Sequence, residues 1–303
     1  MPDAIASAYG ISLYLDSMGC ETTIVYSGKK KIDTKSLLLL IKHCSIQINY
    51  VTELPEHDLL LVVDAQYGGG NVTRFDAVKV AMIDHHPQRV EDGELVFIPK
   101  GYQSCSTIVW ELLQEEQYPV NGDMLLSLAL LYGLCTDTSL FTTLSEEFDM
   151  MMKYVLHKNR DPYFDHLIMC NMSTAEMMIA TDSMRDHYMD FETKFTVIPA
   201  YNCSQTVLGI IGDFMIQVDM IDTSFTYMQT EDRFCFSIRC CRPDLHAGKF
   251  ANFVSKDIGS GGGHATKAAG VIFLKKWEET GFDDLTEYAC EKYREFLALQ
   301  DHA

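Results

Sequence analysis

The stretches LLLVVDAQ (59–66) and VAMIDHHPQ (80–88) each place an acidic residue directly after a continuous apolar run. Short apolar runs of this kind are typical of strands in a parallel sheet that is buried on both faces. In an open parallel sheet, ligands bind in the crevice at the carboxyl ends of the strands. The sequence therefore predicts a layered α/β domain in which polar side chains from two strand ends meet at one edge of the sheet.

Around these two stretches, helical and strand patterns alternate from residue 4 to about residue 140. The predicted helices cover 4–15, 36–42, 105–114 and 124–133, and the predicted strands cover 22–26, 58–63 and 78–83. Alternation of this kind is typical of a Rossmann-like domain with a largely parallel sheet.

The second half of the chain has a different pattern. A Met-rich helical stretch after residue 145 is followed by predicted strands at 191–199, 207–211, 225–229 and 233–239, a glycine cluster at 259–263 and a terminal helix from Leu285. We expect a first domain over 1–165, a helical linker over 166–190, and a smaller α/β domain with a mixed sheet over 191–303. Two such lobes predict an active-site cleft between them.

The composition excludes several classes of partner. The chain has 43 Asp and Glu against 24 Lys and Arg, a formal charge of −19, which opposes binding to duplex nucleic acid or an anionic membrane. Its ten cysteines lack CxxC spacing and suit a reducing compartment. No apolar run approaches the roughly 18 residues of a membrane span. We expect a soluble, cytoplasmic protein, and the sequence leaves a homodimer open.

Five residues of the first half are candidate metal ligands. Asp84 and His85 follow one predicted strand, Asp64 follows another, Asp137 ends the apolar helix in LLYGLCTDTSLF (130–141), and Asp3 begins the first helix. Carboxylate and imidazole ligands together suit Mn²⁺, Fe²⁺ or Zn²⁺ better than Mg²⁺. An acidic residue at a strand end or helix start is also a common loop or capping residue, and that alternative stays open for each Asp taken singly.

The segment KDIGSGGGHATKAAG (256–270) is a candidate anion site in the second half. Consecutive glycines permit positive φ angles, so that backbone N–H groups can converge on a phosphate as a nest. Arg239 and Arg242 in FSIRCCRPD (236–244) could bind the same phosphate through their guanidinium groups. The alternatives are a surface turn for the glycines and salt bridges to surface carboxylates for the arginines.

Taken together, these motifs resemble the DHH phosphoesterase superfamily. The resemblance rests on Asp84-His85-His86, Asp64, DAIAS (3–7), GLCTDTSLF (133–141) and GSGGGHATKAAG (259–270), and it spans nearly the whole chain in the expected order. It is strongest to the branch with the DHH-associated C-terminal domain, which includes nanoRNases with 3′-phosphoadenosine 5′-phosphate phosphatase activity and dinucleotide phosphodiesterases. RecJ exonucleases are more distant. The Ser/Thr helix start SCSTIVWEL (104–112) is a further feature that this family uses near its substrate.

The resemblance implies a role for each candidate residue. Asp3, His85 and Asp137 would hold one Mn²⁺, Asp64 would bridge to a second, and Asp84 would ligate or orient the pair. His86 would face the scissile phosphate, so that His86 and Asp84 are the catalytic candidates. The substrate-binding candidates are Arg239, Gly261, Gly262, Gly263 and His264. The implied activity is Mn²⁺-dependent hydrolysis of a small nucleotide phosphoester: a short single-stranded RNA, a linear or cyclic dinucleotide, or 3′-phosphoadenosine 5′-phosphate.

The N-terminus departs from the family pattern H-x-x-P-D-x-D-A-I-G/A-S. Here MPDAIAS (1–7) makes Asp3 the second Asp and leaves Met1 in place of the first, with no residue for the His, so that one metal site is incomplete. We favour a truncated start over degeneration. Two other functions stay open: a pyrophosphatase or exopolyphosphatase, against which Gly261–His264 argues, and a catalytically impaired nucleotide-binding protein.

Overall fold

The computed structural model describes residues 2–28, 31–69, 72–90, 95–158, 160–169 and 172–300. Met1 and Cys170, which entered the interpretation of the sequence, lie outside these ranges. The chain divides into two compact units, Met1–Asn171 and Met172–Ala303. None of the helices in the described ranges has both the length and the apolar character that a membrane span requires.

The first unit combines six helices with short parallel strands among its described residues. The helices are α1 (Pro2–Ser17), α2 (Lys35–His43), α3 (Cys105–Glu115), α4 (Met124–Asp137), α5 (Glu147–His157) and α6 (Tyr163–Met169). The strands are β1 (Ile24–Tyr26), β2 (Ile48–Tyr50), β3 (Leu60–Val63), β4 (Val80–Ile83) and β5 (Leu95–Phe97). Strand β1 pairs with β2, and β3, β4 and β5 form a second sheet in that order, with every pairing parallel.

Helix α4 lies at the centre of the first unit. Its sequence MLLSLALLYGLCTD is apolar on all sides, and residues 126–135 are all buried, as expected of a helix surrounded by protein. The Asp123 side chain caps its start by accepting the N–H groups of Leu125 and Leu126. Helices α1 and α3 pack against α4. The buried position of α4 fixes its last residue, Asp137.

The second unit is built on a six-stranded sheet. Its strands are β6 (Tyr188–Asp190), β7 (Phe195–Pro199), β8 (Thr223–Gln229), β9 (Arg233–Cys240), β10 (Gly259–Gly263) and β11 (Lys267–Phe273). Its helices are α7 (Thr174–Arg185), α8 (Gln205–Met215), α9 (Ala247–Val254), α10 (Leu274–Trp277) and α11 (Leu285–Gln300). The sheet order is β10-β11-β9-β8-β7-β6, and only β7 and β8 pair in parallel. The predicted α/β class, with parallel sheets followed by a mixed sheet, is confirmed.

One predicted strand is wrong. Residues 207–211 (VLGII) form part of α8, although their continuous apolar character suits a buried strand equally well. The helix begins because Ser204 caps it, its side chain accepting the N–H of Val207. These residues, several of them β-branched, are therefore helical despite their intrinsic preference for strands.

The glycine cluster also differs from the expected phosphate nest. Residues 259–263 form strand β10, paired with β11, so that their backbone is extended where a nest needs alternating helical conformations. Gly261 of β10 and Gly248 of α9 are required by close packing: a Cβ atom on Gly261 would lie 2.5 Å from the Ala251 carbonyl oxygen, and one on Gly248 would lie 2.2 Å from that of Gly263. Their absence of side chains lets α9 lie directly against β10.

Candidate metal centre

Parallel pairing of β3 and β4 brings the first predicted site residues together. Val63 is opposite Ile83 in the register, so Asp64 and Asp84 leave the sheet at the same edge. Asp64 remains tied to this edge because its N–H donates to the Ile83 carbonyl oxygen at 2.9 Å. It has a left-handed backbone with φ of 58°, a conformation that Asp tolerates better than most residues. This backbone turn directs the Asp64 side chain away from the strand.

The His85 imidazole is surrounded by three carboxylates from separate elements. Its Nε2 lies 3.4 Å from Asp64 Oδ1, 3.5 Å from Asp137 Oδ2 and 4.0 Å from Asp3 Oδ2. Asp3 lies in the first turn of α1 and Asp137 ends α4, so these four residues come from helix ends and strand ends that are far apart in sequence. Only 6% of the His85 side chain is exposed. The cluster is therefore shielded from bulk water.

The clustered side chains form two overlapping groups. Asp3, Asp64, His85 and Asp137 offer ligand atoms that all lie within 4.8 Å of one another, and so do Asp64, Asp84, His85 and His86. Asp64 and His85 belong to both groups. The donor atoms of either group could hold a divalent cation.

Electrostatic repulsion and attraction are strong inside the cluster. Burial, together with repulsion from Asp64 and Asp137, raises the pKa of Asp3 well above its usual value. Burial disfavours the charged form of His85, but attraction to Asp137 and Asp64 outweighs it and raises the pKa of His85 to about 10. Three buried carboxylates around one imidazole carry an excess of negative charge. A bound cation would neutralise that excess.

Two buried polar atoms support a metal-binding role. Asp64 Oδ1 and His85 Nε2 lack a hydrogen-bond partner among the described residues, although buried polar atoms are normally satisfied. Carboxylate oxygens and imidazole nitrogens are ligands of Mn²⁺, Fe²⁺ and Zn²⁺, which bind such atoms at roughly 2.0–2.2 Å. The residues present therefore fit a divalent transition metal.

Asp84 orients both histidines that follow it. Its Oδ1 accepts the N–H of His85 at 2.9 Å and that of His86 at 3.3 Å, and it lies 2.8 Å from His86 Nδ1. Burial favours the neutral acid, but these bonds and one from Gln66 outweigh it and lower the pKa of Asp84 to about 2. Because Asp84 is ionised, His86 Nδ1 is the donor, and Nε2 carries the lone pair of a neutral His86 ring.

Sequence reasoning missed Gln66. Its Nε2 donates to Asp84 Oδ2 at 2.7 Å, and its Oε1 accepts the N–H of Arg89 at 2.6 Å and that of Val90 at 3.3 Å. The buried amide therefore fixes both Asp84 and the chain that follows the histidines. The only signal in the sequence is its place two residues after Asp64.

Sequence reasoning also missed the role of Ser106. Asp3 Oδ2 accepts the N–H of Cys105 at 2.7 Å, and Oδ1 accepts the N–H of Ser106 at 2.8 Å together with the Ser106 hydroxyl. The Ser/Thr helix start, expected near the substrate, thus contacts a candidate metal ligand.

The candidate substrate residues lie in the second unit. Arg239 donates through Nε to Asp213 Oδ1 at 2.6 Å and through Nη1 to Ser237 Oγ at 2.7 Å. Arg242 donates through Nε and Nη2 to the two carboxylate oxygens of Asp244, in agreement with the salt-bridge alternative. His264 is exposed beyond the end of β10, and its N–H donates to the Lys267 carbonyl oxygen at 2.8 Å.

A cavity of about 340 Å³ lies along the paired strands β10 and β11. It is lined by Gln205, Ser260, Gly261, Ala269, Gly270 and Val271. The lining is mostly backbone and small side chains, with one hydroxyl and one amide. The volume is within the range of small-molecule sites, and one of the predicted substrate residues, Gly261, contributes to it.

Comparison with known proteins identifies relatives of both halves. Residues 2–134 match the DHH family, N-terminal domain. The chain is 23% identical over 278 residues to an uncharacterised protein of Methanocaldococcus jannaschii, covering 90% of this chain and 56% of that protein. The chain thus spans little more than half the length of this relative.

Two solved structures share the fold. An exopolyphosphatase-related protein from Bacteroides fragilis superposes with a TM-score of 0.72 at 15% identity, covering 97% of this chain and 87% of that one. RecJ from Thermus thermophilus, in complex with Mn²⁺, gives a TM-score of 0.50 at 12% identity and covers 95% of this chain and 55% of RecJ. The expected DHH domain in the first half is confirmed, and the resemblance of the second half to the DHH-associated domain stays a prediction.

Proposed function

We propose that this chain, with its DHH domain over residues 2–134, is a metal-dependent phosphoesterase that hydrolyses small nucleotide phosphoesters. The observation that carries the proposal is the buried cluster in which Asp3, Asp64 and Asp137 surround His85 Nε2 at 3.4–4.0 Å. Divalent cations held there would lower the pKa of a water molecule and neutralise phosphoryl oxygens during hydrolysis. Mn²⁺ is the ion that we expect, with Asp64 shared between two sites.

His86 is the candidate for proton transfer. Its side chain is 37% exposed, more than that of His85, so a substrate phosphate can reach it. Asp84 holds Nδ1 at 2.8 Å and thereby places the lone pair of the neutral ring on Nε2. At Nε2 the ring can accept a proton or, once protonated, donate one to the leaving oxygen. Asp84 stays ionised throughout because its pKa is lowered to about 2.

The second unit supplies the candidates for substrate recognition: Arg239, Gly261, Gly262, Gly263 and His264. The cavity along β10 and β11, about 340 Å³, has a volume within the range of small-molecule sites. A chain with a formal charge of −19 has no basic excess to hold a long polymer. These features favour substrates of one to a few nucleotides.

A substrate panel with Mn²⁺ tests the proposal. The protein is incubated with pApA, pGpG, 3′-phosphoadenosine 5′-phosphate, a short RNA, a duplex, pyrophosphate and polyphosphate, and the released mononucleotide or phosphate is quantified. We expect release from the short nucleotides, and loss of that activity in Asp64→Asn but not in Asp58→Asn, which alters an exposed carboxylate. Phosphate release from pyrophosphate or polyphosphate but from none of the nucleotides would show that the proposed substrate class is wrong. If no compound released phosphate or mononucleotide, the proposed activity would be refuted.

A further inference from the structure

We infer that Ser106 is a positioning residue for Asp3, an inference that rests on the proposed metal centre. Ser106 gives both its N–H and its hydroxyl to Asp3 Oδ1. The other oxygen, Oδ2, lies 4.0 Å from His85 Nε2. Ser106 therefore holds Oδ1, while Oδ2, which accepts the N–H of Cys105, faces the cluster.

Backbone N–H groups at the start of α3 also donate hydrogen bonds to Asp3. The first N–H groups of a helix lack partners within the helix, and its N-terminus favours negative charge. Cys105 and Ser106 direct two of these N–H groups to the Asp3 carboxylate at 2.7 and 2.8 Å. They hold the position of a carboxylate that is wholly buried. The start of α3 thus fixes the orientation of the Asp3 carboxylate.

Gly133 of α4 makes room for the Ser106 hydroxyl. A Cβ atom at position 133 would lie 2.2 Å from Ser106 Oγ and 3.0 Å from Asp3 Oδ1. Any larger residue at this position must therefore push the hydroxyl or the carboxylate aside. Three helices meet here, with α1 contributing Asp3, α3 contributing Ser106 and α4 contributing Gly133.

A second carboxylate anchors the same helix start. Asp149 of α5 is wholly buried and accepts the N–H of Gln103 at 2.8 Å and the Thr107 hydroxyl. It belongs to neither group of candidate metal ligands. These contacts fix the first turn of α3 to α5. Ser106 therefore cannot easily move with Asp3 if the Asp3 side chain is displaced.

The consequence is a prediction about metal affinity. Hydrogen bonds that orient a metal ligand typically contribute 10- to 100-fold to affinity. Ser106→Ala removes the hydroxyl from Asp3 and leaves its other two hydrogen bonds in place. Gly133→Ala places a Cβ atom 2.2 Å from the same hydroxyl and 3.0 Å from Asp3 Oδ1. Each variant should therefore weaken binding of Mn²⁺ by about 10-fold or more.

Mn²⁺ titration calorimetry on the full chain tests the inference, with Ser127→Ala as the control. Ser127 is also buried, and its hydroxyl donates to the Val120 carbonyl oxygen at 2.8 Å without touching the cluster. We expect Ser127→Ala to bind Mn²⁺ like the wild type, and urea unfolding establishes that all variants are folded and how far each is destabilised. The double variant Ser106→Ala/Gly133→Ala should lose less affinity than the sum of the two single losses, because Ser106→Ala also removes the atom that a Cβ at position 133 meets most closely.

Wild-type affinity in Ser106→Ala, or an equal loss in Ser106→Ala and Ser127→Ala, would overturn the positioning role. Additive losses in the double variant would overturn it as well. Absence of Mn²⁺ binding by the wild-type chain would instead refute the proposed metal centre, so the two failures are distinguishable.

Discussion

Asp64 Oδ1 and His85 Nε2 lie 3.4 Å apart, both buried and both without a hydrogen-bond partner among the described residues. A cation between them would satisfy both atoms, so Mn²⁺ should stabilise the folded chain. At a concentration 100 times the dissociation constant, the expected gain is about 2.7 kcal/mol. Thermal unfolding with and without Mn²⁺ measures it as a rise in Tm.

The Asp64→Asn variant tests whether the Mn²⁺-dependent rise in Tm requires Asp64. Without metal its Tm should differ little from that of the wild type, because the change relieves repulsion on Asp3 but also removes attraction to His85. With Mn²⁺ its Tm should not rise. An Mn²⁺-dependent rise equal to that of the wild type would contradict the assignment of Asp64 as a ligand.

Gln66 should contribute to stability through Asp84. Gln66→Ala leaves Asp84 Oδ2 and the N–H of Arg89 without their partner inside the protein, which costs about 1–3 kcal/mol. Urea unfolding at pH 7 gives the difference. Gln47→Ala, at an exposed position, serves as the control and should change stability by no more than about 0.5 kcal/mol.

Gln66→Glu should be more destabilising than Gln66→Ala at pH 7. It places a second carboxylate within hydrogen-bond distance of Asp84, whose pKa is already lowered to about 2. As the pH falls towards the usual Glu pKa of about 4.3, the new Glu side chain becomes protonated. The difference in free energy of unfolding between Gln66→Glu and Gln66→Ala should then decrease. A pH-independent difference between the two variants would show that charge repulsion is not its cause.

Gly248 should tolerate no side chain. The added Cβ atom of Gly248→Ala would lie 2.2 Å from the Gly263 carbonyl oxygen and 2.7 Å from its carbon, both backbone atoms of a paired strand. Overpacking of this kind costs about 1–3 kcal/mol or more. At Gly122 a Cβ atom would meet nothing within 4 Å, so Gly122→Ala should be neutral or slightly stabilising. Equal midpoints of urea unfolding for the two variants would contradict the packing argument.

The parallel sheet and its acidic edge were predictable because the signals are local. An apolar run followed by a polar strand end is visible in LLLVVDAQ, and parallel pairing then places Asp64 beside Asp84. Asp3 and Asp137 could be named from their places at helix ends and from the family resemblance. Their distances to His85 depend on how α1 and α4 pack, which periodicity alone does not give.

The supporting residues could not be predicted because their function depends on distant partners. Ser106 contacts a residue 103 positions away, and Thr107 contacts one 42 positions away. The packing of the glycine run could not be predicted for a related reason: a nest needs only local backbone freedom, whereas Gly261 of β10 is required because helix α9 lies against it.

Asp190 should make the stability of the second unit depend on pH. Burial favours its neutral form, but hydrogen bonds from Arg294 and the backbone outweigh this and lower its pKa. Folding thus favours the ionised form of Asp190. Its contribution to the free energy of unfolding is fully present above the usual Asp pKa of about 4, and it is lost as the pH falls through the lower pKa that Asp190 has in the folded protein. Asp190→Asn should cost about 1–2 kcal/mol at pH 7, and the difference from the wild type should narrow below pH 4. Asp182→Asn, at an exposed ion pair with Arg185, should change little at any pH.

A substitution at Gly262 can test the proposed substrate surface without disturbing the packing of β10. A Cβ atom there would meet only Asn252 Nδ2, at an ordinary 3.9 Å, whereas on Gly261 or Gly263 it would collide with backbone. Gly262→Ala should therefore keep the wild-type unfolding midpoint and Mn²⁺ affinity. If β10 approaches the substrate closely, the added methyl group should raise KM for a dinucleotide about 10-fold, equivalent to about 1.4 kcal/mol, with little change in kcat. Gly122→Ala is the matched control with no expected effect on KM. An unchanged KM in a folded, metal-binding Gly262→Ala protein would remove Gly262 from the substrate surface.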